Sequence, residues 1–182
     1  MSESASPRRI LLAVGGGIAA YKAATVCSRL AQAGHSVQPV MTASATQFLG
    51  AATLAALSGR SVPSGTFDPG HPLGSHIELA DEIDLMIVAP ATANLLAKFA
   101  SGMADDLVST LYLQNVAPVL LAPAMSDPMW TKAAVQRNVA QLREDGCEFV
   151  GPESGWLSCR VMGMGRMSEP ETILAAATKL LS

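Results

Sequence analysis

Charged residues are scarce in this 182-residue chain: Asp, Glu, Lys and Arg together make up 15%, against about 25% in typical soluble domains. The formal net charge is −3, and no basic stretch is interleaved with aromatic residues, which argues against nucleic-acid binding. Hydrophobic residues account for 49% of the chain. Because so little charge is present to cover the surface, apolar patches of the kind that mark interfaces are expected. The composition therefore predicts a homo-oligomer.

Aromatic residues are also few, at 4%, and only three cysteines occur. Cys27, Cys147 and Cys159 show neither metal-ligand nor redox spacing, so a reducing, cytoplasmic compartment is expected. No apolar run approaches the roughly 18 residues that cross a bilayer, so no membrane is expected as a partner. The acidic residues that could suggest a metal site have helix-start positions, which favour capping and dipole interactions instead: Glu78, Asp81, Glu82, Asp84, Asp105 and Asp106. We expect no metal.

Short apolar runs alternate with helical patterns along the chain. The predicted strands are 8–14, 36–41, 61–67, 84–89, 118–122 and 148–150. The predicted helices are 18–33, 45–49, 52–58, a short one from His76, 93–100, 105–114, 128–145 and 169–181; 68–75 is predicted to be a loop, and 151–167 lacks clear periodicity. This alternation predicts a single-domain, doubly wound parallel α/β sheet, a Rossmann- or flavodoxin-like three-layer sandwich, over 8–182. Residues 1–7 form a polar tail that we expect to be mobile.

Two of the predicted strands end in the same Ala-Pro-Ala sequence, at 89–91 and 122–124. Proline has no N–H to donate, so we expect strand pairing to stop there. The residues that follow are then expected in the crevice beyond the carboxyl ends of the strands, where open α/β sheets bind ligands: Thr92, Asn94, Met125 and Ser126.

A glycine-rich turn follows the first predicted strand and precedes a helix, so its amides could hold a phosphate. The alternative is a turn that only lets strand and helix pack closely. A dinucleotide site is disfavoured, because no glycine follows Gly17 until Gly34 and no Asp or Glu lies between Glu3 and Asp68 to bind a ribose. The Gly-Lys-Ser/Thr sequence of a P-loop is also missing.

Six sequence blocks occur in order: Gly16-Gly-Ile-Ala-Ala-Tyr-Lys22, His76-Ile-Glu-Leu-Ala80, Ala89-Pro-Ala-Thr-Ala-Asn94, Gly102-Met-Ala-Asp-Asp-Leu107, Pro123-Ala-Met-Ser-Asp-Pro-Met-Trp130 and Gly163-Met-Gly-Arg-Met167. On these blocks the chain, from about Arg8 to Leu180, resembles the homo-oligomeric flavin-containing cysteine decarboxylases. This family includes phosphopantothenoylcysteine decarboxylase and enzymes that act on the C-terminal cysteine of lanthipeptide-type precursors.

The resemblance implies FMN bound between the subunits of a trimer, with trimers sometimes assembling further into a dodecamer. By position, it assigns the flavin phosphate end to Gly16, Gly17, Ile18, Thr42 and Ser44. It assigns other parts of the cofactor site, including the isoalloxazine, to Phe48, Thr92, Ala93, Asn94, Leu95 and Ala124. In this family the flavin oxidises the cysteine thiol to a thioaldehyde, which provides the electron sink for loss of CO₂ and formation of an enethiolate.

His76 is the candidate for acid–base catalysis, because its near-neutral titration suits proton transfer and the resemblance places the family's active-site histidine there. The alternative is structural: Ser75 and Glu78 form a capping-box sequence in which His76 only occupies the first helical turn. His71, in the preceding loop, is a second candidate.

Cys159 is either a small buried hydrophobe or, by the resemblance, the cysteine that supplies a proton when reduced flavin returns a hydride in the coenzyme A branch of the family. The peptide decarboxylases generally lack this cysteine and stop at the enethiol. Cys159 therefore favours decarboxylation of 4′-phosphopantothenoylcysteine to 4′-phosphopantetheine in coenzyme A biosynthesis. The alternatives are a peptidyl-cysteine decarboxylase and a catalytically silent regulatory flavoprotein.

Two residues depart from the family's pattern. Ser126, beside Met125 in the expected substrate site, stands where the family has asparagine; its alternative role is to cap the approach to a helix beginning at Asp127-Pro128, where Asp127 is the predicted N-cap. Arg160 stands where glycine is usual, and either reaches the substrate's phosphate or is solvated.

Overall fold

The computed structural model describes residues 6–182, so most of the expected tail, residues 1–5, lies outside the described residues. A five-stranded parallel sheet has the order β2-β1-β3-β4-β5. Its strands are β1 (Arg9–Val14), β2 (Ser36–Met41), β3 (Leu85–Ala91), β4 (Val119–Pro123) and β5 (Glu148–Phe149). The chain leaves β1 toward β2 on one side and reaches β3 on the other, which opens a crevice at the carboxyl ends of β1 and β3. The predicted fold class is confirmed.

Helices cover both faces of this sheet. One face carries α1 (Ala20–Gln32), α2 (Ala51–Ser58), α8 (Pro170–Leu180) and a 3₁₀ helix at Ala43–Gln47. The other face carries α3 (Ser75–Ala80), α4 (Ala93–Ala100), α5 (Leu107–Gln114) and α7 (Ala133–Glu144), with the short α6 (Asp127–Trp130) leading into α7. Most predicted boundaries agree with these within about two residues.

The central strands are apolar on both faces because both faces are covered. In β1, Ile10, Leu12 and Val14 pack into the core under α1, whereas Leu11 and Ala13 pack into the core on the opposite face. All five side chains are fully buried. Such continuous apolar runs are typical of strands in the middle of a parallel sheet.

The prolines at the two strand ends behave differently from the prediction. Pro90 lies inside β3, and pairing with β4 resumes one residue later, between Ala91 and Pro123, after a register shift that follows Val88. A local irregularity of this kind accommodates a residue that cannot donate to the ladder. The expectation that pairing stops at Pro90 is wrong, whereas Pro123 is indeed the last residue of β4.

Two further predicted elements are wrong. Residues 61–67 form no strand but an exposed loop, in which the carboxylate of Asp68 accepts hydrogen bonds from the amide and hydroxyl of Ser64. The single helix predicted at 128–145 is broken into α6 and α7, because Lys132 adopts an extended backbone conformation between them.

The Gly- and Met-rich segment at 151–167 contains an antiparallel hairpin that the sequence did not reveal. Its strands are β6 (Glu153–Trp156) and β7 (Met162–Arg166). Glycines alternate with exposed methionines in β7, so the apolar alternation that would indicate a half-buried strand is missing.

The acidic residues play mixed roles. Asp106 caps α5 as expected, in a reciprocal capping box with Ser109. Asp84 and Glu82 instead bind the start of β1: the amide of Arg9 donates to Asp84 at 2.7 Å, and its guanidinium lies 2.6 Å from Glu82. No helix within residues 6–182 is both long enough and apolar enough to span a membrane.

Candidate active site

A cavity of about 800 Å³ opens at the carboxyl edge of the sheet. Its walls come from the turns that follow β1, β3 and β4, from the start of the 3₁₀ helix and from the β6–β7 hairpin. This volume lies within the range of about 300–1,000 Å³ that is typical of small-molecule sites.

Most of the residues predicted from the sequence line this cavity together: Gly16, Gly17, Ile18, Thr42, Ser44, Thr92, Ala93, Asn94, Leu95, Ala124, Met125, Ser126 and Cys159. Three predicted site residues do not line it, namely Phe48, His76 and Arg160. Phe48 follows the 3₁₀ helix and is half exposed.

The glycine turn after β1 is set by close backbone approach. A Cβ at Gly15 would lie 2.3 Å from the carbonyl oxygen of Pro90, and one at Gly16 would lie 2.3 Å from the Cβ of Ser44. Both distances are shorter than real contacts, so any larger residue would push the turn away from β3 or from the 3₁₀ helix. The turn therefore lets β1 and α1 pack closely against β3 and the 3₁₀ helix.

The same turn also presents unpaired amides. The amide of Ala20 donates to the carbonyl of Gly17 at 2.9 Å, whereas across residues 6–182 the amides of 16–19 have no protein acceptor. Gly17 faces open space, with the nearest atom to a Cβ there 3.9 Å away, and the first turn of α1 carries no acidic residue. Free amides at a helix N-terminus form an anion-binding site.

Two threonine hydroxyls flank these amides. Thr42 Oγ1 accepts a hydrogen bond from the amide of Ala45 at 3.2 Å, and Thr92 Oγ1 accepts one from the amide of Leu95 at 3.3 Å. Each caps the helix that follows it. Since a hydroxyl that accepts in this way still carries its own proton, both can donate to a ligand.

Lys22, which the sequence analysis did not single out as a site residue, lines the cavity although its side chain is only 6% exposed. Its ammonium donates to the carbonyl of Met167 at 2.8 Å and lies 3.1 Å from the carboxylate of Glu169. The hydrogen bond from Lys22 holds the pKa of Glu169 below its usual value. This cation therefore attaches the chain after β7 to α1.

Lys98, whose side chain is mostly buried, forms a second charge cluster at the cavity wall. Its ammonium lies 2.6 Å from a carboxylate oxygen of Asp105 and 2.6 Å from one of Asp106. Burial opposes the charged form of Lys98, but the hydrogen bonds to the two aspartates outweigh it and raise the lysine's pKa. Nothing in the sequence spacing distinguished this lysine from a solvated one.

Ser126 presents an uncommitted hydroxyl to the cavity. Its backbone carbonyl accepts from the amides of Met129 and Trp130, so Ser126 is the N-cap residue of α6, but its side chain makes no capping bond. The prediction that Asp127 is the N-cap is wrong, since Asp127 is the first residue of the helix.

The β6–β7 hairpin packs against the turn that follows β4. The amide of Met125 donates to the carbonyl of Gly165 at 3.0 Å, and a Cβ at Gly165, whose φ is +117°, would lie 2.1 Å from the carbonyl oxygen of Met125. Only glycine permits both the conformation and the approach.

Cys159 lies at the hairpin tip, exposed and lining the cavity. The alternative that it is a buried hydrophobe is wrong. Arg160, next in the chain, has φ +66° and is exposed, and its amide donates to the carbonyl of Leu157 at 2.9 Å. This left-handed turn position is one that glycine occupies without strain.

His76 lies in the first turn of α3, outside the cavity, with its ring against Gly74. Its Nδ1 atom is buried and has no hydrogen-bond partner in the part of the chain described. The capping box does not form, because Gly74 and not Ser75 is the N-cap residue of α3. The hydroxyl of Ser75 donates to the carbonyl of Gly65, and Glu78 binds the preceding loop. Within residues 6–182, no group of three or more His, Cys, Asp or Glu side chains could hold a metal.

The family model described as Flavoprotein matches residues 1–182. The chain belongs to this flavoprotein family. It is 47% identical over 173 residues to the coenzyme A biosynthesis bifunctional protein CoaBC of Bacillus subtilis (strain 168), covering 94% of this chain and 43% of that protein. It is also 47% identical over 174 residues to CoaBC of Mycolicibacterium smegmatis, covering 96% and 42%. The chain thus spans less than half the length of these curated relatives.

Solved structures show the same fold. A PPC decarboxylase mutant complexed with pantothenoylaminoethenethiol superposes with a TM-score of 0.84 at 28% identity, covering 95% of this chain and 97% of that one. The FMN-dependent cysteine decarboxylase SpaF superposes with a TM-score of 0.78 at 32% identity, covering 96% and 99%. The resemblance inferred from the six sequence blocks is confirmed.

Proposed function

We propose that this flavoprotein is an FMN-dependent carboxy-lyase that converts 4′-phosphopantothenoylcysteine to 4′-phosphopantetheine in coenzyme A biosynthesis. The observation that carries the proposal is a single cavity that combines free amides at the start of α1, an apolar wall and the exposed thiol of Cys159. Similarity to CoaBC proteins and to PPC decarboxylase supports the choice of substrate.

The residues of the cavity suit FMN. The free amides of Gly16, Gly17 and Ile18 and the hydroxyl of Thr42 would hold its phosphate, and the Thr92–Leu95 turn with Ala124 would line its ring. When bound, FMN accepts the electrons of the substrate thiol and so gives the departing carboxylate an electron sink.

The chain's own residues then act on the substrate. The free hydroxyl of Ser126 donates a hydrogen bond to the substrate's carboxylate and so holds it for departure. The thiol of Cys159 holds the proton that completes the saturated thiol product. Arg160 acts from the hairpin tip, where its guanidinium attracts the phosphate of the substrate.

The position of His76 outside the cavity supports an assembly in which one copy supplies this residue to the cavity of another. The side chains near it are apolar and exposed, with Phe67 at 96%, Leu73 at 74% and Ile77 at 47%. A closed ring of three copies covers such patches and gives every cavity one histidine from a neighbour. The enzyme is then a homotrimer, or a dodecamer built from four trimers. Its three free cysteines suit a reducing, cytoplasmic compartment.

The substrate assignment is tested with purified protein loaded with FMN. Supplied with phosphopantothenoylcysteine, it is expected to release CO₂ and yield the saturated thiol. A peptide ending in cysteine is the comparison substrate, because SpaF is a cysteine decarboxylase. Turnover of the peptide alone, or an enethiol as the final product, would indicate a peptidyl-cysteine decarboxylase instead.

Shared sites are tested by complementation between two strongly impaired variants, His76→Asn and Cys159→Ser, mixed in equal amounts. Mixed trimers are expected to regain formation of saturated thiol at about one quarter of the wild-type rate, because each cavity draws its two residues from neighbouring copies. Absence of recovery, with mixing verified by mass spectrometry, would place both residues in one copy.

A further inference from the structure

The loop before α3 is joined to that helix by a bridge formed by His71, Leu73 and Glu78. The carboxylate of Glu78 accepts a hydrogen bond from the amide of Leu73 at 2.8 Å. Its second oxygen lies 3.0 Å from Nδ1 of His71. Both ionisable side chains of this bridge are partly buried. Because Gly74, and not Ser75, is the N-cap residue of α3, Glu78 is not placed for a capping box, and its carboxylate binds the loop instead.

The bridge closes around His76. Leu73 lies three residues before His76, and Glu78 two residues after it, so the hydrogen bond between them spans the segment that carries the imidazole. Within this segment Gly74 has φ +104°, and a Cβ added there would lie 3.3 Å from Cε1 of the His76 ring. The ring makes no hydrogen bond through its buried Nδ1 atom in the described residues. Its orientation therefore depends on the backbone of this short segment.

The bridge is charged. The amide of Leu73, followed by the hydrogen bond from His71, holds the pKa of Glu78 below its usual value. Behind the bridge lies a second cavity of about 380 Å³, whose polar wall includes Arg9, Arg60 and His71. Glu78 also lines this cavity, so its carboxylate lies between the cavity and the loop whose Leu73 amide it accepts from.

We propose that Glu78, through its hydrogen bonds to Leu73 and His71, is a positioning residue that fixes the His76 imidazole in the orientation that the reaction uses. This inference rests on the proposed function, in which His76 is a catalytic residue. Glu78 touches neither cofactor nor substrate. Its effect passes through the backbone of 73–78, and small misplacements of a catalytic group lower rates steeply.

The test compares Glu78→Ala with Glu78→Gln in the FMN-loaded enzyme. Glutamine preserves both contacts, because its oxygen can accept from Leu73 and its NH₂ can donate to His71. We expect kcat to fall ~10- to 100-fold in Glu78→Ala, with KM and the flavin absorbance little changed, and to stay within about threefold of wild type in Glu78→Gln. Glu82→Ala is the matched control, since Glu82 lies four residues on and binds Arg9 instead.

Two further measurements separate positioning from general damage. In a His76→Asn background, Glu78→Ala should cause no additional loss, because the bridge acts only through the imidazole. The chain contains three histidines, so ¹³C labelling at their Cε1 atoms gives three signals. The His76 signal should move in Glu78→Ala and stay in place in Glu78→Gln and Glu82→Ala.

An unmoved His76 signal in Glu78→Ala would overturn the inference, as would an equal loss of kcat with and without His76. If His76→Asn were fully active, His76 would have no catalytic role, which would contradict the proposed function. Glu78 could then not affect the rate by positioning His76. The NMR comparison would still decide whether the bridge orients the ring.

Discussion

Ser126 stands where the family pattern given above has asparagine, and it lines the cavity. The hydroxyl is free of capping bonds, so it can donate once to a carboxylate, whereas an asparagine amide can donate and accept together. A hydrogen bond to a charged group contributes about 1.5–3 kcal/mol. We therefore expect Ser126→Asn to raise kcat/KM for phosphopantothenoylcysteine by about 10- to 150-fold. Steady-state kinetics on the purified variant measure this directly.

Lys132→Asn is the control for this substitution. It introduces the same side chain six residues further on, in the break between α6 and α7 and away from the cavity lining. Its kcat/KM should match the wild type. A Ser126→Asn enzyme that is no faster than the wild type would mean that the serine hydroxyl, or a water beside it, already satisfies the carboxylate.

The packing of the β6–β7 hairpin against the turn after β4 depends on Gly165. Gly165→Ala places a Cβ 2.1 Å from the Met125 carbonyl oxygen and also strains a backbone with φ +117°. We expect a rise in KM and weaker retention of FMN, because the displaced hairpin no longer closes the cavity. Steady-state kinetics and equilibrium dialysis of FMN measure the two effects.

Gly102→Ala is the control that separates backbone strain at positive φ from steric overlap of the new Cβ. Gly102 also has positive φ, +66°, but a Cβ there meets nothing within 4 Å. Gly102→Ala should therefore lower the free energy of unfolding only through the strain of the left-handed conformation, by ~1–2 kcal/mol. This corresponds to a fall in Tm of roughly 2–8 °C for a domain of this size. If Gly165→Ala lowered Tm equally and left KM unchanged, the contact with Met125 would not be what holds the hairpin.

Most of the sheet could be predicted because strands buried on both faces have an unmistakable composition. β1 and β4 were predicted within one residue of their observed bounds, and the crevice residues Thr92, Asn94 and Ser126 followed from where two strands end. Strand composition is a property of a single segment. The location of the crevice residues follows from it once the carboxyl ends of parallel strands lie at one edge of the sheet.

The missed features are those set by tertiary contact. The hairpin forms because Gly163 and Gly165 let β7 approach the turn after β4, and no local pattern encodes that approach. Lys22 becomes a buried cation only because the carbonyl of Met167 and the carboxylate of Glu169 come to it from the other end of the chain. Long-range pairing of this kind leaves no mark in residue spacing.

Across the whole molecule, Asp84 ties the start of β1 to the segment before β3. It accepts from the amide of Arg9 at 2.7 Å and from the guanidinium of Arg8 at 3.1 Å. These bonds, the amide of Arg9 first, hold its pKa below the usual value. A lowered carboxyl pKa stabilises the fold above the unfolded pKa of about 3.9, and this contribution is lost as pH falls through the lower folded value.

We therefore expect Asp84→Asn to lower the free energy of unfolding at pH 7 by about 1 kcal/mol, since the pair is partly solvated. The difference from wild type should shrink as the pH is lowered below about 4. Urea titrations at several pH values test this, with Asp81→Asn, an exposed aspartate at the end of α3, as the control. A difference that is constant over the whole pH range would show that charge at Asp84 is not the cause.

In the proposed homotrimer, activity would require association, because each cavity would take its histidine from a neighbouring copy. Phe67 is 96% exposed in the single chain, so replacing it should leave the fold of one copy intact. If the patch of Phe67, Leu73 and Ile77 is an interface between copies, Phe67→Arg places a charge where it must be desolvated and prevents association. Sedimentation velocity should then show monomers, and CO₂ release should fall at least tenfold because the cavities lose the histidine of their neighbour. Gln32→Arg, which adds the same charge on α1 across the sheet, should remain assembled and active; a Phe67→Arg protein that stays oligomeric at full activity would move the interface to another surface.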